Sequence, residues 1–164
     1  MKIPEFTKVL YTTDLSANAR HAFAYAVGLA NRYNAGITVL HVLEDLSPSA
    51  DSLVINMIGE KKWNEIRHKN ENEVLETMKT RLKSFCDDVS SEFPACQFIT
   101  DDIFVRIGNP VEEILSEVEA GSYDLVVMGA HGRGVLTDAL MGSTSRRVLR
   151  RCKIPVLVIR LPEE

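Results

Sequence analysis

The sequence has few cysteines and no long apolar run, and both shortages narrow what the protein can be. Its three cysteines, Cys86, Cys96 and Cys152, lack metal-ligand spacing and cannot all pair with one another, which predicts a reducing environment. Because no run of about 18 apolar residues is present, no membrane span is expected. The first six residues contain no apolar segment typical of a secretory signal. Together these features predict a cytoplasmic location.

The sequence also lacks an excess of basic residues. Its net charge is −4 at pH 7 and its pI is about 5.6, which argues against nonspecific binding to nucleic acid or to an anionic membrane. A hydrophobic fraction of 45% and a charged fraction of 26% are ordinary for a soluble globular protein. Because there is no internal repeat or low-complexity segment, the 164 residues predict a single domain over residues 1–164.

Two well-known phosphate-binding patterns are missing from the glycine-rich stretch near the C-terminus. A Walker A sequence is excluded, because no Gly-Lys-Ser or Gly-Lys-Thr follows four variable residues. Gly132 and Gly134 begin like the dinucleotide-binding fingerprint, but Thr137 stands where its third glycine would be. Any phosphate site in this stretch must therefore be of another kind.

A strand, a glycine turn and a helix start follow one another in this stretch. The apolar run from Leu125 to Met128 is typical of a parallel strand that is covered on both faces. Gly129 and Gly132 come next, and glycine lets backbone N–H groups approach a ligand closely. Residues 142–145 then open a helix, whose first N–H groups have no partner within the helix. The stretch therefore predicts a phosphate-binding site.

Apolar periodicity predicts strands that alternate with helices along the chain. The predicted strands run from Thr7 to Thr12, Ile37 to Val42, Gln97 to Ile107, Leu125 to Met128 and Pro155 to Arg160. Such alternation implies right-handed βαβ units and a parallel sheet. The predicted fold is α/β, with a doubly wound five-stranded parallel sheet in the order 3-2-1-4-5 and helices on both faces.

Cap residues predict several helix boundaries. Ser16 is an N-cap for the first helix, and Asn34 begins the sequence that ends it. Asn109 and Pro110 are a cap residue and a first-position proline, and Gly121 ends the helix that they start. Between the second and third strands, we expect a loop over residues 44–51 and then a long helix over about 58–89.

The predicted strand order brings two distant segments together. In such a sheet, ligands bind outside the carboxyl ends of the strands, at the switch point between the first and fourth strands. Thr13 and Asp14 leave the first strand at that edge, and residues 129–132 leave the fourth. The sequence therefore predicts one crevice that both segments line.

The spacing Gly129-x2-Gly132-x9-Gly142-Ser143 resembles the ATP-binding signature of the universal stress protein family. Segments 10–16, 39–42 and 154–159 are also similar to that family, and the resemblance is weakest over residues 45–91. It implies an ATP-binding module that acts in a stress response or in regulation, with at most slow ATP hydrolysis. The stress signal and the downstream partner are not encoded in any motif of the chain.

The resemblance also implies roles for individual residues. Asp14 and Val42 would hold the base, Met128 would line the pocket, and the glycines with their neighbouring hydroxyls would hold ribose and phosphates. The candidate nucleotide-binding residues are Thr13, Asp14, Val42, Met128, Gly129, His131, Gly132, Arg133, Gly142, Ser143, Thr144 and Ser145. ATP would bring Mg²⁺ or Mn²⁺, held mainly by phosphate oxygens.

Several of these residues have a second interpretation. The glycine loop could be only a tight connection between strand and helix, and Asp14 could be a turn carboxylate. His131 could act as a general base or could only contact phosphate or solvent. Arg133 could meet phosphate or lie exposed on the loop, and Ser143 could simply cap the helix.

The remaining basic side chains carry weaker signals. His21, His41 and His68 have no ligand-like spacing, so we expect surface or satisfied core histidines. Four arginines near the end of the last helix complement its dipole and are expected to form a solvated face: Arg146, Arg147, Arg150 and Arg151.

Assembly is predicted from the last strand. It should lie at a sheet edge, it is apolar and β-branched, and it carries no lysine that would discourage pairing. The sequence therefore predicts a homodimer through residues 155–160, with the two strands antiparallel about a twofold axis, as the resemblance also implies. Two other function classes stay open: a nucleotide hydrolase or transferase that uses His131, and a nucleotide-free dimeric interaction module.

Overall fold

The computed structural model describes residues 3–44, 48–65, 72–73, 76–77, 80, 83–84, 87–88, 91, 99–132 and 141–161. Its named elements are β1 (Lys8–Thr13), α1 (Ala17–Tyr33), β2 (Gly36–Leu43), α2 (Pro48–Ile58), β3 (Ile99–Ile107), α3 (Pro110–Ala120), β4 (Leu125–Gly129), α4 (Ser143–Arg151) and β5 (Val156–Ile159). The strands form one parallel sheet in the order β3-β2-β1-β4-β5. The predicted fold class and strand order are confirmed.

Helices cover both faces of the sheet because successive strand residues point in opposite directions. In β1, Val9 and Tyr11 pack against α1, where Phe23 is fully buried. Leu10 points to the opposite face and joins the core with Val148 of α4. The middle strands are therefore buried on both sides, as their continuous apolar sequences predict.

The predicted caps of α1 and α3 are confirmed. The Ser16 side chain accepts a hydrogen bond from the Ala19 N–H at 3.2 Å, and Asn34 ends α1 in the left-handed region at φ 53°. Asn109 Oδ1 accepts from the N–H groups of Val111 and Glu112 at 3.0 and 3.3 Å. These bonds satisfy backbone groups that a helix end leaves without partners.

The prediction of a loop over residues 44–51 is wrong in its second half. Helix α2 begins at Pro48, because the fixed φ of proline suits the first helical position and its missing N–H needs no partner there. It ends at Ile58, where the long helix was expected to begin. Gly59 interrupts at φ +85°, residues 60–65 are helical again, and so are the described positions between 72 and 91. Asn70 and the predicted break at 93–95 lie outside the described residues.

Strand boundaries differ from the prediction by one or two residues. Strand β3 is described from Ile99, so the expected start at Gln97 lies outside the described residues. Its pairing with β2 shifts register between Ile37 and Thr38. Within the described part of the chain, no helix is long and apolar enough to cross a membrane.

Candidate functional site

A cavity of about 450 Å³ opens at the carboxyl edge of the sheet. Its size falls within the range of small-molecule sites. The ends of β1, β2 and β4 contribute to its wall, and so do the starts of α3 and α4. Apart from Arg133, which lies outside the described residues, every predicted site residue lines this cavity: Thr13, Asp14, Val42, Met128, Gly129, His131, Gly132, Gly142, Ser143, Thr144 and Ser145. Their contact with a nucleotide stays a prediction.

The turn after β1 carries Asp14 into the cavity wall. Leu15 has a φ of 63°, an uncommon conformation for a residue other than glycine. Two local hydrogen bonds hold the turn: the Leu15 N–H donates to Thr13 Oγ1 and the Ser16 N–H donates to Asp14 Oδ1, both at 3.0 Å. Asp14 is therefore a turn carboxylate, as its second interpretation had it, and it also lines the cavity.

Asp14 and the glycine loop approach each other closely. A Cβ atom placed on Gly132 would come within 2.9 Å of Asp14 Oδ2. A side chain at position 132 would therefore require the Asp14 carboxylate to shift, whereas glycine lets the two segments approach closely. The predicted convergence of the two segments at the switch point is thus present in the structure.

The backbone of Ala130 connects the glycine loop to β5 and to the start of α4. Its N–H donates to the Ile159 carbonyl at 2.6 Å, and its carbonyl accepts from the Gly142 N–H at 2.8 Å. The Ser145 hydroxyl, which is buried, also donates to that carbonyl at 2.8 Å. Since the hydroxyl proton of Ser145 is used in this way, its geometry favours holding the loop against α4 rather than donating to a ligand.

Helix α4 begins at the cavity wall. Its cap residue is Gly142, and among the described residues no side chain caps its N-terminus. The first N–H groups of a helix lack partners within it and carry the positive end of its dipole. Ser143 and Thr144 therefore bring both backbone N–H groups and hydroxyls to this wall, which suits a bound anion.

Sequence reasoning predicted Val42 as an apolar wall of the site but missed the other apolar side chains that line the cavity. Leu40 of β2 and Pro110 and Ile114 of α3 line the cavity, and Glu44 lies exposed beside them. The strand order already placed the end of β2 at the same edge as β1. The contribution of α3, however, depends on how that helix packs on the sheet, which no local motif encodes.

Sequence reasoning also missed His41. Its side chain is only 5% exposed, it lines the cavity, and its Nδ1 lies 2.6 Å from the Thr13 carbonyl oxygen. His41 is therefore a buried histidine with a hydrogen-bond partner, as expected, and it also lines the cavity. Its position at the carboxyl end of an apolar strand was the available signal.

The described residues contain no group of three or more His, Cys, Asp or Glu side chains that could hold a metal ion. Asp14 and Glu44 are the carboxylates among the residues that line the cavity.

Comparison with known proteins gives one family and one fold. The model of the universal stress protein family matches residues 5–160. Universal stress protein MJ0577 of Methanocaldococcus jannaschii is 27% identical over 155 residues, which are 94% of this chain and 95% of that protein. The solved structure of MJ0577 matches with a TM-score of 0.71 at 25% identity and covers 98% of this chain and 100% of that one.

Two structural neighbours were solved with nucleotides. A universal stress protein in complex with cAMP has a TM-score of 0.58 at 20% identity, with 95% of this chain and 98% of that chain covered. A universal stress protein family protein from Arabidopsis thaliana, with AMP bound, has a TM-score of 0.53 at 17% identity and coverage of 95% and 92%. At these identities the likeness is one of fold.

Proposed function

This chain belongs to the universal stress protein family, and from that premise we propose that it binds ATP with Mg²⁺ or Mn²⁺ as a nucleotide-dependent regulatory module. The observation that carries the proposal is the meeting of the glycine loop, the uncapped start of α4 and an apolar wall around one cavity. Neighbours with bound cAMP and AMP support an adenine nucleotide as the ligand class.

The phosphates would lie against α4 and the glycine loop. Gly142, Ser143 and Thr144 line the cavity at the helix start, where backbone N–H groups and the helix dipole favour negative charge. Gly129 and Gly132 allow the phosphates to approach the backbone of the loop. Mg²⁺ or Mn²⁺ would be held mainly by phosphate oxygens.

The adenine would lie toward the carboxyl ends of β1 and β2. Val42 and Leu40 of β2 and Ile114 of α3 offer an apolar wall for a flat ring. Asp14 supplies a carboxylate that can accept from the exocyclic amine of adenine. Guanine has a carbonyl oxygen in that position, so the same carboxylate would disfavour it.

We propose binding with at most slow hydrolysis. Fast phosphoryl transfer generally uses positioned cations and a group that orients the attacking water. His131 lines the cavity and is the candidate for such a group. Steady phosphate release that is abolished in His131→Ala, while the variant keeps its fold and its ATP affinity, would contradict a purely binding role and favour the hydrolase alternative.

The test of the proposal is ligand-induced stabilisation. The purified protein is first denatured and checked for released nucleotide, so that an empty site is established. Addition of ATP–Mg²⁺ at about 100 times its dissociation constant should then raise the free energy of unfolding by about 2.7 kcal/mol, because the ligand binds only the folded state. An unchanged melting temperature at millimolar ATP, with the site known to be empty, would contradict ATP binding.

A further inference from the structure

His41 lies near the carboxyl ends of β1 and β2, where the adenine of the proposed site would bind. In the parallel ladder its Cα pairs with that of Thr13, the last residue of β1, and β2 ends two residues later at Leu43. The imidazole is buried and its Nδ1 reaches the Thr13 carbonyl oxygen at 2.6 Å. One residue thus links the end of β2 to the turn after β1.

The chemistry of this contact fixes the tautomer of the ring. A carbonyl oxygen can only accept a hydrogen bond, so Nδ1 must carry the proton. This hydrogen bond fixes the orientation of the His41 ring in the cavity wall. It also holds the Thr13 carbonyl in place. Thr13 is the residue from which the turn begins.

The turn that this bond anchors is conformationally demanding. Leu15 occupies the left-handed region, which must be stabilised by the surrounding structure. The bonds that do so come from the side chains of Thr13 and Asp14, which accept from the N–H groups of Leu15 and Ser16. A displaced Thr13 peptide would move both acceptors.

We propose that His41 is a positioning residue of the nucleotide site. Its Nδ1–H donates to the Thr13 carbonyl and thereby holds the turn in the conformation that brings Asp14 beside Gly132. The proposal rests on the proposed function for its effect on nucleotide affinity. The conformation of the turn itself can be measured without any nucleotide.

Two substitutions separate the hydrogen bond from the ring. His41→Asn keeps an N–H donor close to the place of Nδ1, whereas His41→Phe keeps a ring and removes the donor. Loss of one buried hydrogen bond corresponds to about a tenfold change, so His41→Phe should bind ATP–Mg²⁺ about tenfold more weakly. His41→Asn should stay within about threefold of the parent protein.

A matched control separates positioning from simple loss of stability. Val39 lies on the same strand, is fully buried and does not line the cavity, so Val39→Ala destabilises β2 without removing a side chain from the cavity wall or a hydrogen bond of the turn. It should lower the melting temperature while leaving ATP affinity unchanged. Equal affinity in His41→Phe and the parent would overturn the proposal, as would a loss of affinity in Val39→Ala as large as that in His41→Phe.

A nucleotide-free measurement decides the positioning role even if the protein does not bind ATP. At pH 8, nitrogen NMR should show His41 protonated at Nδ1, and a ring protonated only at Nε2 would refute the assignment. Amide hydrogen exchange at Leu15 and Ser16 should become faster in His41→Phe and remain slow in His41→Asn and Val39→Ala. Unchanged exchange in His41→Phe would likewise overturn the proposal, whereas failure of the parent to bind ATP would overturn only the proposed function.

Discussion

At the scale of single residues, the site depends on how little space separates Asp14 from the glycine loop. A side chain at position 132 would displace the Asp14 carboxylate, because its Cβ would lie only 2.9 Å from Asp14 Oδ2. Gly132 and its neighbours His131 and Asp14 all line the cavity. Small changes at this point should therefore act on binding more than on folding.

Gly132→Val should weaken ATP binding while leaving the fold largely intact, because Gly132 is exposed and the Asp14 carboxylate can shift, but the new side chain would block the approach of the phosphates. Isothermal titration with ATP–Mg²⁺ measures the effect. Gly28→Ala is the matched control: no atom lies within 4 Å of its new Cβ, and alanine within α1 should stabilise the protein by about 0.5–1 kcal/mol. Undiminished affinity in a folded Gly132→Val protein would show that the phosphates bind elsewhere.

Asp14→Ala should reduce the preference for ATP over GTP by about tenfold to a hundredfold, the range expected for a hydrogen bond to a charged group. Asp14→Asn is the companion variant, since its amide oxygen can still accept from the Ser16 N–H and preserve the turn. Both variants should show the reduced preference in parallel titrations with the two nucleotides. An ATP-to-GTP ratio that stays the same in both would exclude a contact between Asp14 and the base.

At the scale of elements, hydrogen bonds connect neighbouring elements at both the carboxyl and the amino ends of the strands. At the carboxyl edge, Ala130 joins the glycine loop, α4 and β5. At the amino edge, Asp124 precedes β4 and its Oδ2 accepts from the Thr7 N–H, the Thr7 hydroxyl and the Lys8 N–H at 2.7, 2.7 and 2.9 Å. The second connection fixes β1 beside β4, which is the pair that creates the switch point.

Asp124 should make stability depend on pH. The backbone hydrogen bond from Thr7 is the largest cause that holds the pKa of its carboxyl below the ordinary value. This contribution is therefore complete above the unfolded-state pKa of about 4 and is lost as pH falls through the lower folded-state pKa. Because the group is partly exposed, we expect Asp124→Ala to cost about 1 kcal/mol at pH 7, with a smaller difference at pH 3.

Urea unfolding of parent and variant at both pH values measures this difference. Glu119→Ala is the control, since the hydrogen bond from Lys153 also lowers the pKa of that carboxyl but the pair is exposed. Its removal should leave stability unchanged at either pH. A loss in Asp124→Ala that is as large at pH 3 as at pH 7 would mean that the ionised carboxylate is not the source of the effect.

At the scale of the whole molecule, the two sheet edges differ. Edge strand β3 carries the charged and exposed Asp102 and Arg106. Edge strand β5 is apolar, and Val156, Leu157 and Val158 are only half-buried although β4 beside them is buried. An apolar edge strand is prone to pair with another chain. We therefore propose that two copies of the chain pair through residues 155–160 about a twofold axis.

Sedimentation should show a dimer at tens of micromolar, and Val158→Lys should convert it to a monomer by placing charge on the proposed seam. Asp102→Lys on the opposite edge should leave the dimer intact. Because Val158 also contacts the core, circular dichroism must first show that the variant is folded. A parent protein that sediments as a monomer, or a folded Val158→Lys protein that remains a dimer, would contradict this interface.

The sequence by itself determined the strands, their order and most of the residues around the cavity. Continuous apolar runs and cap residues such as Ser16 and Asn109 act locally, and the rules for βαβ connections then leave little choice of topology. The start of α2 at Pro48 is also encoded locally. Because Ser-Pro is equally typical of a turn, however, the same residues led to the wrong prediction of a loop.

Only the tertiary structure decided which groups touch. The bond from His41 to Thr13, the turn of the Ser145 hydroxyl toward Ala130 and the contribution of Ile114 to the cavity wall join residues that are distant in sequence. No periodicity or spacing encodes them, because each depends on how a helix or a strand end packs against its neighbours. The chain thus specifies where the crevice forms, and packing specifies how its walls are held.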